Sequence, residues 1–325
     1  MGVTEVANPG VVVSVVGPTA SGKTELAVAL AQRLGTEIVN ADARQVYRGM
    51  AIGTAQPTAA ERAAAPHHLV DFLDPTELYS AGAFEEDAVP LLTRLCAERG
   101  SAILAGGSGM YVKAALEGLD PLPADLDLRR ILNREVADLG LPALVARLEK
   151  LDPDHVAVLD TSNPQRVVRA LEVCLASGRP FSSFHSGNQK TRPWHVVSVG
   201  LNPNREELRE RIARRTHAMM EAGWLEETRK LLPLRHENAL NTVGYKELFQ
   251  HLEGTLALDE AVRLVITHTR QFAKRQMTWF RKDSSTTWFD CPADSRDEAL
   301  DRAVEHVQTE VQKLQGTPLP QLGRK

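Results

Sequence analysis

The chain has 325 residues, a formal net charge of −4 and a sequence pI near 6.2, which excludes a global nucleic-acid footprint and leaves RNA contact to local clusters of Arg and Lys. Cys96, Cys174 and Cys291 lie far apart without CxxC spacing, so neither a disulfide framework nor a zinc site is expected, and a reducing compartment is. No apolar run reaches the roughly 18 residues of a membrane span, and MGVTEVANPG lacks the basic-then-apolar layout of a signal peptide, so no membrane partner is expected and the expected location is cytoplasmic.

The length accommodates one large domain plus a smaller one with no need of a disulfide or structural metal. Residues 11–16, VVVSVV, are a β-branched run ending at Gly17, and from Gly22 onward Leu26, Leu30 and Leu34, with Ala27 and Ala31, repeat at helical spacing. Between them GPTASGKT satisfies GxxxxGK[ST]. The loop Gly17, Pro18, Thr19, Ala20, Ser21 and Gly22 can turn successive backbone N–H groups toward one anion, Lys23 adds a point charge, and the Thr24 hydroxyl can hold Mg²⁺ or a phosphate oxygen. EIVNA, 37–41, predicts a second strand delivering Asp42; SAILA, 101–105, predicts another that runs into GGSG; and 195–200 predicts a further one. Strands alternating with helices predict an α/β fold, a P-loop-type parallel sheet covered by helices on both faces.

A P-loop ATPase usually also has a strand ending in an acidic residue that orients Mg²⁺, but SAILA ends in Gly106-Gly107, and the hydrolase reading loses ground. Asp42 remains, at a strand end where an open parallel sheet presents its crevice. It reads as a general base or metal holder, or else as a helix cap or loop carboxylate. Adjacent His67 and His68 seldom converge on one ion, and no third ligand lies nearby in sequence.

From about Asp120 to Arg192 the chain is helical and punctuated by prolines, which predicts an all-helical insertion. The expected organisation is core 1–120, insertion 121–192, core 193–315, and a disordered tail 316–325 with too little to bury. Asn163 and Pro164 start a helix that Gly178 stops. In it NPQRVVRALEV puts Gln165, Arg166 and Arg169 near an N-terminus that favours anions, with Val168, Leu171 and Leu175 toward the core. In RERIARR, Arg211 and Arg215 are a turn apart and can meet one phosphate, though Glu206, Glu207 and Glu210 allow a surface salt-bridge helix instead. Farther on, Arg263, Arg270, Lys274 and Arg281 share an arc of about 40° on one helix. No acid interrupts 263–282, so the stripe reads as a phosphate contact or as a solvated face.

Taken in order, GPTASGKT, NADARQVYRGMAIGTAQP, HHLVDFLDP, GGSGMYVKA, NPQRVVRALE, LNTVGYKEL and TRQFAKRQMTWFR resemble the tRNA dimethylallyltransferase family, the tRNA isopentenyltransferases, from about Val11 to Arg281. The resemblance implies that the cradle holds the diphosphate of dimethylallyl diphosphate, and that the dimethylallyl group passes to the exocyclic amine of the adenosine 3′ of the anticodon in tRNA, with Mg²⁺. It matches Asp42 to the base, Thr24 to the contact on the bridging oxygen, and Arg215, with Arg211 beside it, to the diphosphate. It brings Asp42, Ala43, Arg44 and Gln45 to the target nucleotide, makes Ser108 and Arg129 further tRNA contacts, and has Gln165, Arg166, Val167, Val168 and Arg169 grip the anticodon loop. Arg270 and Lys274 join that footprint from the basic stripe. The family commonly has Asp-Ser-Met-Gln where this chain has Asp42-Ala43-Arg44-Gln45, and Thr at Ser108, which bears on fine recognition. With three scattered cysteines the zinc-finger extension of some eukaryotic relatives is not expected, and a monomer is. Three other readings stay open: a small-molecule kinase with Asp42 as base, an enzyme prenylating free AMP, and a non-catalytic RNA-binding nucleotide switch.

Overall fold

Val11, Val13 and Val15 point to one side of strand β1 (Gly10–Val16) and Val12 and Val16 to the other, and all are buried, as a central strand of a parallel sheet requires. The computed structural model describes residues 9–184 and 190–319. Among them β1 joins β2 (Ile38–Asn40), β3 (His67–His68), β4 (Ser101–Ala105), β5 (Trp194–Pro203) and β6 (Thr287–Cys291) in one sheet ordered β3-β2-β4-β1-β5-β6. Every pairing is parallel. The residues fall into two compact units, one running to Glu117 and resuming at Thr191, the other Gly118–Lys190, against the 121–192 read from the sequence.

In the sheet unit, α1 (Lys23–Leu34), α2 (Ala59–Ala64), α3 (Ala81–Arg99) and α4 (Gly109–Leu116) precede the second unit. The helical unit holds α5 (Leu126–Leu139), α6 (Leu141–Leu151), α7 (Pro153–Val156) and α8 (Pro164–Ser177). The sheet unit then resumes with α9 (Arg205–Glu221), α10 (Trp224–Leu231), α11 (Tyr245–Leu252), α12 (Leu258–Phe280) and α13 (Arg296–Leu314). Leu26 and Leu30 of α1 and Leu300 and Val307 of α13 cover one face of the sheet; Phe84, Leu92 and Leu95 of α3 and Tyr111 of α4 cover the other. A third cluster packs Val46, Tyr47 and Met50, from the loop after Asp42, on Trp224, Tyr245, Leu248 and Val265 of α10 to α12. That anchors a long loop which would otherwise be free to move.

The helical unit has its own core of Leu132, Leu144, Leu148, Leu171 and Cys174. Asn163 caps α8 by accepting from the Gln165 and Arg166 N–H groups, and Gly178 ends it at φ 68°. Val168 faces this core, as its spacing with Leu171 and Leu175 predicts, and Val167 joins it; they are 0% (Val167) and 2% (Val168) exposed, so the side chains of both, which the resemblance brings to the tRNA, serve packing on the buried stripe of an amphipathic helix. Of the expected disordered tail, 320–325 lie outside the described residues, as do 1–8 of the stretch compared with a signal peptide. Thr317, by contrast, is tied down: its carbonyl lies 2.8 Å from His195 Nε2 and its hydroxyl donates to the Lys313 carbonyl.

Candidate active site

The end of β1 feeds the GPTASGKT loop, and Gly22, at φ 102°, caps α1 without any side-chain hydrogen bond. A Gly in this left-handed region lets the loop close on itself and leaves the first-turn N–H groups open to an anion. Lys23 Nζ donates to the Pro18 carbonyl at 2.6 Å. Burial pushes the Lys23 pKa down to about 7, the nearby Arg215 charge adding to the fall and Asp42 opposing it. An anion entering the cradle restores the charge. Binding of metal-free inorganic diphosphate at pH 8 is therefore accompanied by proton uptake, and its affinity weakens as pH rises above 7. Calorimetry in buffers of different ionisation enthalpy measures the uptake, and Lys23→Arg, charged throughout, loses Lys23's share of it.

β2 continues past Asn40 through the Ala41 N–H, which bonds the Ala105 carbonyl at 2.8 Å. Gly106 lies so close beneath Ala41 that a Cβ there would overlap the Ala41 carbonyl. This close approach carries Asp42 to the rim of the cradle. Asp42 Oδ1 accepts from the Arg44 N–H (2.9 Å) and the Gln45 N–H (3.4 Å), and Ser108 Oγ accepts from the Ala43 N–H at 2.8 Å. Asp42 is thus a loop carboxylate through one oxygen, while Oδ2 takes no hydrogen bond from the described residues. One oxygen fixes the geometry and the other is left for chemistry.

Arg215, on α9, has Nη1 3.4 Å from Thr19 Oγ1, and burial lowers its pKa. Arg211 lies a turn before it beside Glu207 at 3.8 Å, its pKa lowered first by burial and then by the Arg296 charge. Arg296, which opens α13, had no sequence signal: its Nη2 would sit 2.6 Å from a Cβ at Gly22, and it is ion-paired with Glu25. Four cations, Lys23, Arg211, Arg215 and Arg296, therefore ring the cradle. They line an open cleft of about 1120 Å³ together with Thr24, Asp42, Ser108 and Phe272. Gln276, buried on α12, also lines it and was missed; its side-chain amide accepts from the Thr19 N–H (2.8 Å) and donates to the Gly107 carbonyl (2.9 Å). A polar residue on the buried stripe that Ala273 and Phe280 define was the available clue.

Some expected tRNA contacts are engaged within the protein. Arg44 donates to the Asn238 carbonyl at 2.8 Å, and the Gln45 amide donates to the Thr54 and Ala55 carbonyls. Arg270 reaches the Arg209 carbonyl at 3.3 Å and Lys274 is exposed, whereas Arg263 pairs with Glu260, one turn outside the acid-free window. In the helical unit Gln165 and Arg166 are exposed. Arg129 forms a two-pronged pair with Glu172 at 2.7 and 3.0 Å, and Arg169 meets the same carboxylate at 2.9 Å. The Glu172 side chain is 0% exposed, so Glu172→Ala leaves two guanidiniums without their counter-charge and costs roughly 2–4 kcal/mol, reduced by the solvent both still see. Faster hydrogen exchange confined to Gly118–Lys190 is the expected readout.

A phosphate cradle beside a half-free carboxylate suits proton removal coupled to departure of a phosphate group. Residues 45–283 match the family described as IPP transferase. The chain belongs to the IPP transferase family. It is 46% identical over 279 residues to the tRNA dimethylallyltransferase of Cytophaga hutchinsonii, covering 86% of this chain and 92% of that one. Against tRNA dimethylallyltransferase 1 of Porphyromonas gingivalis the identity is also 46%, over 86% and 93%. Among solved structures, the full-length tRNA isopentenylpyrophosphate transferase of Bacillus halodurans superposes with a TM-score of 0.70 at 37% identity, covering 93% of this chain and 97% of that one. A eukaryotic dimethylallyltransferase captured acting on tRNA gives a TM-score of 0.78 at 23% identity, over 94% and 80%, which speaks for the fold. IPP transferase membership thus rests on most of the chain.

Proposed function

We propose that this protein transfers the dimethylallyl group of dimethylallyl diphosphate to the exocyclic amine of the adenosine 3′ of the anticodon in tRNA, releasing diphosphate. The observation that carries this reading is the free Oδ2 of Asp42 at the rim of a phosphate cradle whose neighbouring strand, β4, runs into Gly106 and Gly107 where an acidic residue would otherwise stand. The relatives' name, tRNA dimethylallyltransferase, supports the substrate pair.

In the reaction the amine nitrogen forms a bond to the allylic carbon as that carbon's bond to the bridging oxygen breaks. The amine proton passes to Asp42 Oδ2 and the electron pair leaves with the diphosphate. An adenine amine is a weak nucleophile, its lone pair being drawn into the ring, so a positioned base helps by about 10²–10⁴. Lys23, Arg215 and the cradle N–H groups stabilise the charge gathering on the leaving group. The adenosine leaves the anticodon-loop stack to reach Asp42, and single-stranded loops are where proteins read RNA sequence.

Mg²⁺ fits this site as a shared ion. Thr24 offers one hydroxyl, and no group of three or more His, Cys, Asp or Glu capable of holding a metal occurs among the described residues, so diphosphate oxygens and water would complete its shell. Bound there it would supply charge neutralisation on the diphosphate. No helix of the described residues is long and apolar enough to cross a membrane.

The test incubates the protein and Mg²⁺ with unmodified tRNA and dimethylallyl diphosphate, in parallel with AMP as acceptor and ATP as donor, followed by nucleoside mass spectrometry. A dimethylallyl increment on tRNA adenosine alone is expected. An increment on AMP, or phosphate transfer from ATP without prenylation, would overturn the proposal.

A further inference from the structure

We infer that Gln276 is a positioning residue for this reaction, its side-chain amide tying the phosphate cradle to the turn that holds the base and so setting the separation of leaving group and Asp42. The inference rests on the proposed prenyl transfer. Gln276 is 6% exposed, and its two amide atoms face different loops. Oε1 accepts from the Thr19 N–H of the cradle at 2.8 Å, and Nε2 donates to the Gly107 carbonyl, just past β4, at 2.9 Å. The next residue, Ser108, accepts from the Ala43 N–H at 2.8 Å, and Ala43 adjoins Asp42. A continuous path runs from Thr19 through Gln276, Gly107, Ser108 and Ala43 to the carboxylate.

The chemistry of the side chain is specific to this task. The path needs one acceptor and one donor on a single planar head, which Gln provides, whereas Glu loses the donor, Lys loses the acceptor and Met loses both. Thr19 spends its N–H on Gln276, so diphosphate is left to the N–H groups after it and to the cations. Gly107 has no room for a side chain beside Gln276 Nε2, so the donor meets the backbone directly. Gln276 touches neither reacting group. Its effect is on the distance between them, and a misplacement of about 1 Å is worth on the order of 10²-fold in rate.

The test measures prenyl transfer by Gln276→Met and Gln276→Glu beside the wild type. Gln276→Met fills the same space without either hydrogen bond; its kcat falls by about 10–100-fold, while the donor KM and the tRNA Kd stay near wild type and the Tm drops only as far as two lost hydrogen bonds account for. Gln276→Glu, which keeps the Thr19 bond, retains more of kcat than Gln276→Met but binds the anionic donor less well. Unchanged kcat in Gln276→Met with an active wild type overturns the inference. So does a fall in kcat matched by loss of Tm and of substrate binding, the pattern of a residue that only holds the fold. A wild type inactive in the same assay overturns the prenyl-transfer reading instead.

Discussion

Asp42→Asn lowers the single-turnover rate of prenyl transfer by about 10²–10⁴, with tRNA affinity within about threefold of wild type. The substitution isolates the proton from the geometry. An asparagine carbonyl oxygen still accepts the Arg44 and Gln45 N–H bonds that hold the turn, but the amide nitrogen that replaces Oδ2 cannot take a proton. Rapid-quench measurement of prenylated tRNA, paired with filter binding of the same tRNA, separates the two. Equal losses in turnover and binding would show Asp42 to be a recognition residue. Asp42→Ala loses the turn as well, so it is no more active than Asp42→Asn and less well ordered from Ala43 to Gln45.

Arg215→Met lowers kcat/KM by about 10²–10³, the scale for removing one preorganised group from a developing anion. The half-buried guanidinium is kept charged in a place where burial works against charge, an arrangement whose return comes when an anion arrives. Arg215→Lys recovers only part of the loss, because a point charge on a flexible stem does not reproduce the planar fork. There is a second signature. Arg215 is one of the groups that depress the Lys23 pKa, so in Arg215→Met Lys23 titrates higher and proton uptake on diphosphate binding near pH 8 shrinks. A rate loss without that change in uptake would place Arg215 away from the lysine.

The parts of this site written in local sequence were legible: the GPTASGKT loop between a β-branched run and a helical repeat, the caps of α8 at Asn163 and Gly178, and Asp42 at a strand end. The parts made by tertiary contact were not. β3 is two residues long, too short for any period, and β6, TWFDC, is a half-exposed edge strand with mixed polarity. Arg296 reaches the cradle only because α13 packs on α1, which no spacing foretells. Val167 belonged by its position to the polar block, although the helix turns it inward beside Val168, which helical spacing already places toward the core. The basic stripe on α12 loses Arg263 because Glu260, three residues before it on the helix, neutralises it.

The central ladder of the sheet joins Gly10 through Val16 to Trp194 through Gly200, residue for residue, and the whole helical unit lies between those strands in sequence. During synthesis, one edge of β1 therefore waits without its partner while Gly118–Lys190 is made, and the helical unit, with its own apolar centre, has all its contacts available first. A valine-rich strand with an open edge is a template for wrong pairing. Nascent chains stalled before Trp194 will accordingly be the aggregation-prone species, and the order in which the ribosome delivers the two units becomes part of how this enzyme reaches its active form.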